Sequence, residues 1–236
     1  AAEVQKSLLP HEFDDVLISL ETIFEPFHQV SGDYFNFAWN HDHTKFYGFV
    51  IDVSGHGVAS SLQGQVVNSY FREIMEAPIN LVSRLNWVNQ KVLPFFTDDT
   101  FAAAVCFEFD FARKTLSFST AGIYAFLAAS ASLPKIVCKP GSLLGITGTP
   151  EFEEWTVPLE EDDAFYFMTD GLSEQLPPEQ QIEPNDFDRT VSLLRNLSLH
   201  PDRHDDCCAL CIKIKGKPTF PLRFQDGPRD IQSPGK

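Results

Sequence analysis

Two acids in this chain end apolar runs that can fold back on each other. The run Phe46-Tyr-Gly-Phe-Val-Ile-Asp52-Val is apolar at both parities, as a strand covered on both faces requires. Asp52 is therefore a carboxylate leaving a buried element just before the glycine-flanked turn Ser54-Gly-His-Gly57. Upstream, the run from Phe27 to Trp39 carries Asp33, and the polar stretch Asn40 to Lys45 lies between the two. If the runs form one hairpin, its turn centres between Asp42 and His43, which sets Trp39 opposite Phe46, Phe35 opposite Val50 and Asp33 opposite Asp52. Opposed side chains lie roughly 4.5–5.5 Å apart, and like charges there repel. Two acids meeting away from water thus call for a divalent cation. The alternative is a bulge that turns one of them to solvent. Two further acid positions follow strand-like runs or head them: Asp170 after Ala164-Phe-Tyr-Phe-Met-Thr169, and Asp205-Asp206 ahead of Cys207-Cys-Ala-Leu-Cys-Ile-Lys213.

The elements that must position these acids are legible from period and punctuation. Residues 2–9 read as the end of a helix stopped by Pro10, and strands are expected at 15–24, 28–39 and 46–53. Val58, Leu62, Val66, Tyr70 and Ile74, with Val67 and Phe71, predict a helix of about five turns with one apolar face. A second helix carries Leu81, Leu85, Val88 and Val92 behind Asn80 as its N-cap, and Pro78 separates the two into a helical hairpin. From Thr100 the period changes to strands, at 101–109, 114–121, 123–129, 134–138, 152–157 and 163–169. Residues 172–184 are polar and Pro-rich and are expected as a mobile flap beside Asp170; a helix near 185–198 and a last strand at 206–214 follow. The tail 215–236 is expected to be poorly ordered, with Phe220, Leu222 and Phe224 able to dock as an edge strand. Many consecutive strands with paired helices exclude a parallel doubly wound sheet and point to an α+β fold of two antiparallel sheets with helices outside.

Six segments, in order, resemble the metal-dependent PP2C-like serine/threonine phosphatases of the bacterial SpoIIE and RsbU branch. They are Gln5-Lys-Ser-Leu-Leu-Pro10, Ser31-Gly-Asp33-Tyr, Asp52-Val-Ser-Gly-His-Gly57, Pro140-Gly-Ser-Leu-Leu-Gly145, Thr169-Asp-Gly171-Leu-Ser-Glu174 and Asp205-Asp206. The resemblance covers residues 4–214 and implies a single phosphatase domain over 1–214, built as a four-layer α-β-β-α sandwich with two Mn²⁺ or Mg²⁺ ions at one edge. It implies that Asp52 bridges the ions, that Asp170 and Asp205 hold the first, and that Asp33 and the Val53 carbonyl serve the second. The activity implied is hydrolysis of phosphoserine or phosphothreonine by a metal-activated water, on a protein substrate that is an anti-sigma-factor antagonist. An upstream sensor or receiver module in the same chain belongs to that picture, and a homodimer is left open. The helical hairpin starts one turn beyond Asp52 and is expected as the element that couples such a module to the site. The alternative reading is a phosphatase-like binding module that recognises a phosphoprotein without turnover.

Three departures from the family pattern stand out. Ser31-Gly32-Asp33 replaces Gly-Gly-Asp, Thr120-Ala-Gly-Ile-Tyr124 replaces Asn-Ala-Gly-His, and Cys208 replaces the threonine of Asp-Asp-x-Thr. None removes one of the four acids. His56 is read as bracing its turn, His41 and His43 as surface imidazoles, and Ser54 lacks the G-x-S-x-G setting of a nucleophile. Gly55-x-Gly57-x-x-Ser60 lacks the last glycine and the βαβ unit of a dinucleotide fingerprint.

Eighteen basic against 33 acidic residues give a net charge of −15, which disfavours nucleic acid or an anionic membrane as partner. With 236 residues and 43% hydrophobic content the chain can bury one large core. No apolar run reaches the roughly 18 residues of a membrane span, so a cytoplasmic location is expected. The five cysteines suit a reducing compartment, and Cys208-x-x-Cys211, without a second pair, is read as core packing rather than a zinc site. A chain that begins with Ala and goes straight into a helical pattern is expected to be a piece of a longer protein.

Overall fold

The computed structural model describes residues 2–55, 57–97 and 99–216. A short helix α1 (Ala2–Ser7) leads into β1 (Phe13–Asp14), β2 (Ile18–Glu25), β3 (Tyr34–Trp39) and β4 (Lys45–Val53). The helices α2 (Val58–Ile74) and α3 (Leu81–Val92) follow, then β5 (Ala102–Asp110), β6 (Thr115–Ala121), β7 (Ala125–Ala129), β8 (Ile136–Cys138), β9 (Glu154–Pro158) and β10 (Ala164–Met168). The described residues close with α4 (Asp170–Ser173), α5 (Phe187–Ser198) and β11 (Cys207–Ile214). One sheet has the order β1-β2-β11-β10-β7-β8 and the other β3-β4-β5-β6-β9. Helix α5 lies on β2 and β11, while α2 covers β3 and β4 and α3 covers β6. The result is the expected α-β-β-α sandwich.

The β3–β4 hairpin sets its register locally. The Asn40 side-chain oxygen accepts from the amides of Thr44 (2.8 Å) and Lys45 (2.9 Å), and its Nδ2 donates to Thr44 Oγ1 (3.0 Å). His43 takes the positive φ of 51° that closes the turn. The ladder then runs from Trp39↔Phe46 to Tyr34↔Ile51 without a bulge, in the register read from the sequence. Strand period does the rest. Phe46 packs between the sheets against Phe37 (5.7 Å) and Phe109 (6.4 Å), whereas Phe49 stacks on Phe71 of α2 (4.7 Å) and Tyr47 takes the Arg84 guanidinium of α3 over its ring (4.9 Å). The layer between the sheets is aromatic: Phe107 stacks on Phe167 at 4.2 Å and Phe118 meets Phe126 at 5.1 Å. Gly48 belongs to that packing, since a Cβ there would lie 2.2 Å from Phe107 Cζ.

Three expectations need correction. The buried face of α2 is Ser60, Gly64, Val67, Asn68 and Phe71, while Val58 and Leu62 are exposed. Its first turns approach β3 too closely for large side chains: a Cβ on Gly64 would lie 2.6 Å from the Tyr34 ring and 2.7 Å from the Gly32 carbonyl. Nor does the segment 172–184 stand off the core. Leu172 and Ile182 are fully buried in the cluster beneath α5 with Phe187 and Val191, and Tyr166 Oη donates to the Pro184 carbonyl at 2.7 Å.

The strand expected from residue 28 starts only at Tyr34, leaving 26–33 as irregular chain. Asn80 does cap α3, its side chain accepting from the Ser83 amide at 2.8 Å. Cys208 and Cys211 pack on opposite faces of β11 as free thiols, which rules out joint chelation. Among the described residues no helix is long and apolar enough to cross a membrane. The expectations for His56 and for Phe220, Leu222 and Phe224 fall outside the described residues.

Candidate metal centre

Continuing the strand period past Phe35 and Val50 carries Asp33 and Asp52 onto the inner face, at one edge of the sandwich. They are the next register positions beyond Tyr34↔Ile51, just outside the ladder. The same period on β10, past Phe165 and Phe167, directs Thr169 inward, and on β11 it directs Asp206 inward.

Asp33 is 2% exposed, and its Oδ2 accepts from the Thr169 hydroxyl at 2.7 Å. Thr169 Oγ1 in turn accepts from the Cys208 amide at 3.1 Å. Burial, and then the charges of Asp52 and Asp206, hold the Asp33 carboxyl well above the usual carboxylate range. Burial, followed by the charges of Asp170 and Asp205, does the same to Asp52. Asp170 opens α4; burial and the nearby Glu174 raise its carboxyl. Asp52 and Asp170 hydrogen-bond to each other, an interaction that raises Asp52 and lowers Asp170.

The two acids before β11 part company. Asp206 is buried and both its oxygens are engaged, accepting from the amides of Phe27 (2.7 Å) and Gly32 (2.8 Å). Asp205 is exposed at the mouth, takes the Asp206 amide on Oδ1 (2.8 Å), and its charge reaches both Asp33 and Asp52. Two glycines allow the close approaches. A Cβ on Gly171 would lie 1.9 Å from the Asp206 carbonyl oxygen, and one on Gly32 would lie 3.0 Å from the Val53 carbonyl oxygen.

Asp33, Asp52, Asp170 and Asp205, with the Val53 carbonyl, form an all-oxygen set of the hard kind that suits Mg²⁺ or Mn²⁺. Among the described residues no three His, Cys, Asp or Glu side chains close on a single point. Ions of this type keep several waters and need only one or two carboxylates each. Burial comes first in raising Asp33, Asp52 and Asp170 and neighbouring carboxylates add to it, and acids crowded in this way suit a divalent cation.

Other signals resolve into structure. Ser54 Oγ accepts from the Phe101 amide (2.9 Å), closing the turn after β4. Gly55 and Gly57 both take φ near +85°, the left-handed region open to glycine. The segments 120–124 and 140–145 are two sides of one contact: a Cβ on Gly141 would lie 1.9 Å from the Thr120 carbonyl oxygen, and one on Gly122 would lie 2.3 Å from Leu143. Sequence reasoning missed Thr169 and Asp206 as partners of the site, although the inward parity of β10 and β11 marks both.

Comparison with known proteins gives a family and a fold. The profile of the family described as Stage II sporulation protein E (SpoIIE) matches residues 42–215. Phosphoserine phosphatase RsbP of Bacillus subtilis (strain 168) is 21% identical over 178 residues, covering 73% of this chain and 44% of that protein. The chain thus spans less than half the length of that relative. Among solved structures, the RsbU and RsbW domains of Rv1364c from Mycobacterium tuberculosis superpose with a TM-score of 0.70 at 21% identity, over 86% of this chain and 63% of that one. RsbX in complex with magnesium gives 0.68 at 16% identity, over 87% and 99%.

Proposed function

The chain belongs to the SpoIIE family, and from that premise we propose that it is a Mn²⁺- or Mg²⁺-dependent phosphatase acting on phosphoserine or phosphothreonine in a protein partner. The observation that carries this reading is the gathering of four carboxylates, from four separate stretches of chain, at one edge of the sandwich, with Asp33, Asp52 and Asp170 all held above their ordinary range. Asp52 would be shared between two ions, Asp170 and Asp205 would hold one of them, and Asp33 with the Val53 carbonyl would serve the other. Bound there, such ions neutralise phosphoryl oxygens and acidify a water enough for attack near neutral pH.

The chain's own groups supply the frame. Thr169 orients the Asp33 carboxylate, Asp206 holds the 27–32 backbone against β11, and Gly171 lets α4 start within contact of that strand's head. The magnesium in the RsbX structure and the name of RsbP support the same reading. The finer part of the proposal, carried over from the resemblance, is that the substrate is an anti-sigma-factor antagonist and that a sensor or receiver module of the same protein controls the site.

The test is hydrolysis of an aryl phosphate and of a phosphoserine protein, with and without Mn²⁺. Turnover only with the metal, lost in Asp52→Asn, is the expected result. Tight binding of the phosphoprotein without turnover under any divalent ion would replace the enzyme by a binding module.

A further inference from the structure

Gln5 is the one buried residue of α1, and its amide is fully committed. Oε1 accepts from the Ser31 N–H at 2.9 Å and Nε2 donates to the Ser31 carbonyl at 2.8 Å. A primary amide paired with both backbone groups of one residue does what a neighbouring strand does, and it fixes that residue in position and orientation. Nε2 also reaches Ser61 Oγ of α2 at 3.4 Å, and Tyr34 Oη donates to the Ser61 carbonyl at 3.0 Å.

The residue so gripped stands two places before Asp33. Ser31 Oγ accepts from the Asp33 N–H at 3.0 Å, and Asp206 holds the intervening Gly32 amide at 2.8 Å. Residues 26–33 form no strand of their own, since β2 ends at Glu25 and β3 begins at Tyr34. The segment is positioned by side chains reaching its backbone: Arg203 on the Glu25 and Pro26 carbonyls (2.8 Å each), Asp206 on the Phe27 and Gly32 amides, and Gln5 on Ser31. Of these, only Gln5 comes from outside the two sheets and the loop leading into β11.

We infer that Gln5 is a positioning residue for Asp33. It acts through Ser31, fixes where the Asp33 carboxylate stands, and so sets the affinity of the metal position that Asp33 serves; this rests on the metal-site reading above. Helix α1 is then part of the site, and any displacement of it registers at Asp33. Val4 of α1 and Leu8 just beyond it are exposed to solvent, and that side is where such a displacement can be applied.

The test compares wild-type chain with Gln5→Met, similar in size but without the amide, and with Ser31→Ala, which keeps the Gln5 contacts and removes the link to the Asp33 amide. Val137→Ala, a core truncation in the edge strand β8 at the far side of the first sheet, is the stability control. Mn²⁺ affinity is measured by calorimetry, amide hydrogen exchange at Ser31 by NMR, and melting temperature without metal. Both Gln5→Met and Ser31→Ala should weaken Mn²⁺ binding about 10-fold or more, the scale set by groups that orient metal ligands. Gln5→Met should also speed exchange at Ser31, and Val137→Ala should melt lower with Mn²⁺ affinity unchanged. Mn²⁺ affinity in Gln5→Met within twofold of wild type overturns the inference alone. A wild-type chain that binds no Mn²⁺ overturns the metal-site reading and this inference with it.

Discussion

Gly171→Ala tests the packing that brings Asp170 and Asp205 together. Gly171 lies in the first turn of α4, where alanine is normally the better residue by about 1 kcal/mol. No backbone objection exists, so any loss must come from the Cβ. That atom would stand 1.9 Å from the Asp206 carbonyl oxygen and 3.4 Å from the Asp205 Cβ. An acceptable contact requires the start of α4 and the head of β11 to part by about 1 Å or more, and an overpacked site of this kind costs about 1–3 kcal/mol. Net of the helix gain, the loss is about 0–2 kcal/mol, read as a fall of up to roughly 8 °C in melting temperature for a domain of this size. The effect on chemistry is larger. A misplacement of about 1 Å costs on the order of 100-fold in turnover. Melting curves and Mn²⁺-dependent aryl phosphate hydrolysis measure both. An alanine variant that melts at or above wild type with undiminished turnover would refute the geometry on which the Asp170 and Asp205 assignment depends.

Other substitutions probe the rest of the site and frame. Asp52→Asn and Asp170→Asn should each abolish metal-dependent turnover while the metal-free protein melts no lower than wild type, because each removes an ionisable acid from a crowded acidic cluster; a cooperative melt paired with wild-type turnover in either variant would sink the ligand assignment. For Asp33 the pH dependence has a definite sign. Its folded-state carboxyl is raised by burial, Asp52 and Asp206, so folding retains a proton that the unfolded chain releases. The metal-free wild type therefore loses stability relative to Asp33→Asn as pH rises from the ordinary carboxylate value toward the raised one, by up to about 1.4 kcal/mol per pH unit. Urea midpoints in chelator between pH 5 and 8 would show it, and a wild type that gains on the asparagine variant over that range would contradict the assigned burial cost. Asn80→Ala should cost about 1 kcal/mol through loss of the α3 cap, with hydrolysis per folded molecule unchanged; a drop in Mn²⁺ affinity would instead tie the helical hairpin to the site.

What the sequence determined by itself is local. The β3–β4 register follows from a short turn that Asn40 closes with its own side chain, so Trp39↔Phe46 through Tyr34↔Ile51 could be counted off along the chain. Asn80 caps α3 for the same reason, its partner Ser83 being three residues away. The ends of β4 and β10, and with them Asp52 and Asp170, were legible because apolar runs stop there. What tertiary structure decided involves residues far apart in sequence. Asp206 rather than Asp205 is consumed in holding backbone, through bonds to Phe27 and Gly32 that no spacing rule connects. Ser60 and Gly64 form the buried start of α2 because that helix runs against the Gly32 loop, and periodicity alone ranked Val58 and Leu62 above them. Ile182 looked like part of a polar flap until β10 and α5 supplied the cluster that buries it. Local hydrogen bonds and the two-residue strand period act within a few residues and can be read along a line. Which polar group faces the metal edge, and which is spent on supporting it, depends on chain that arrives from elsewhere in the fold.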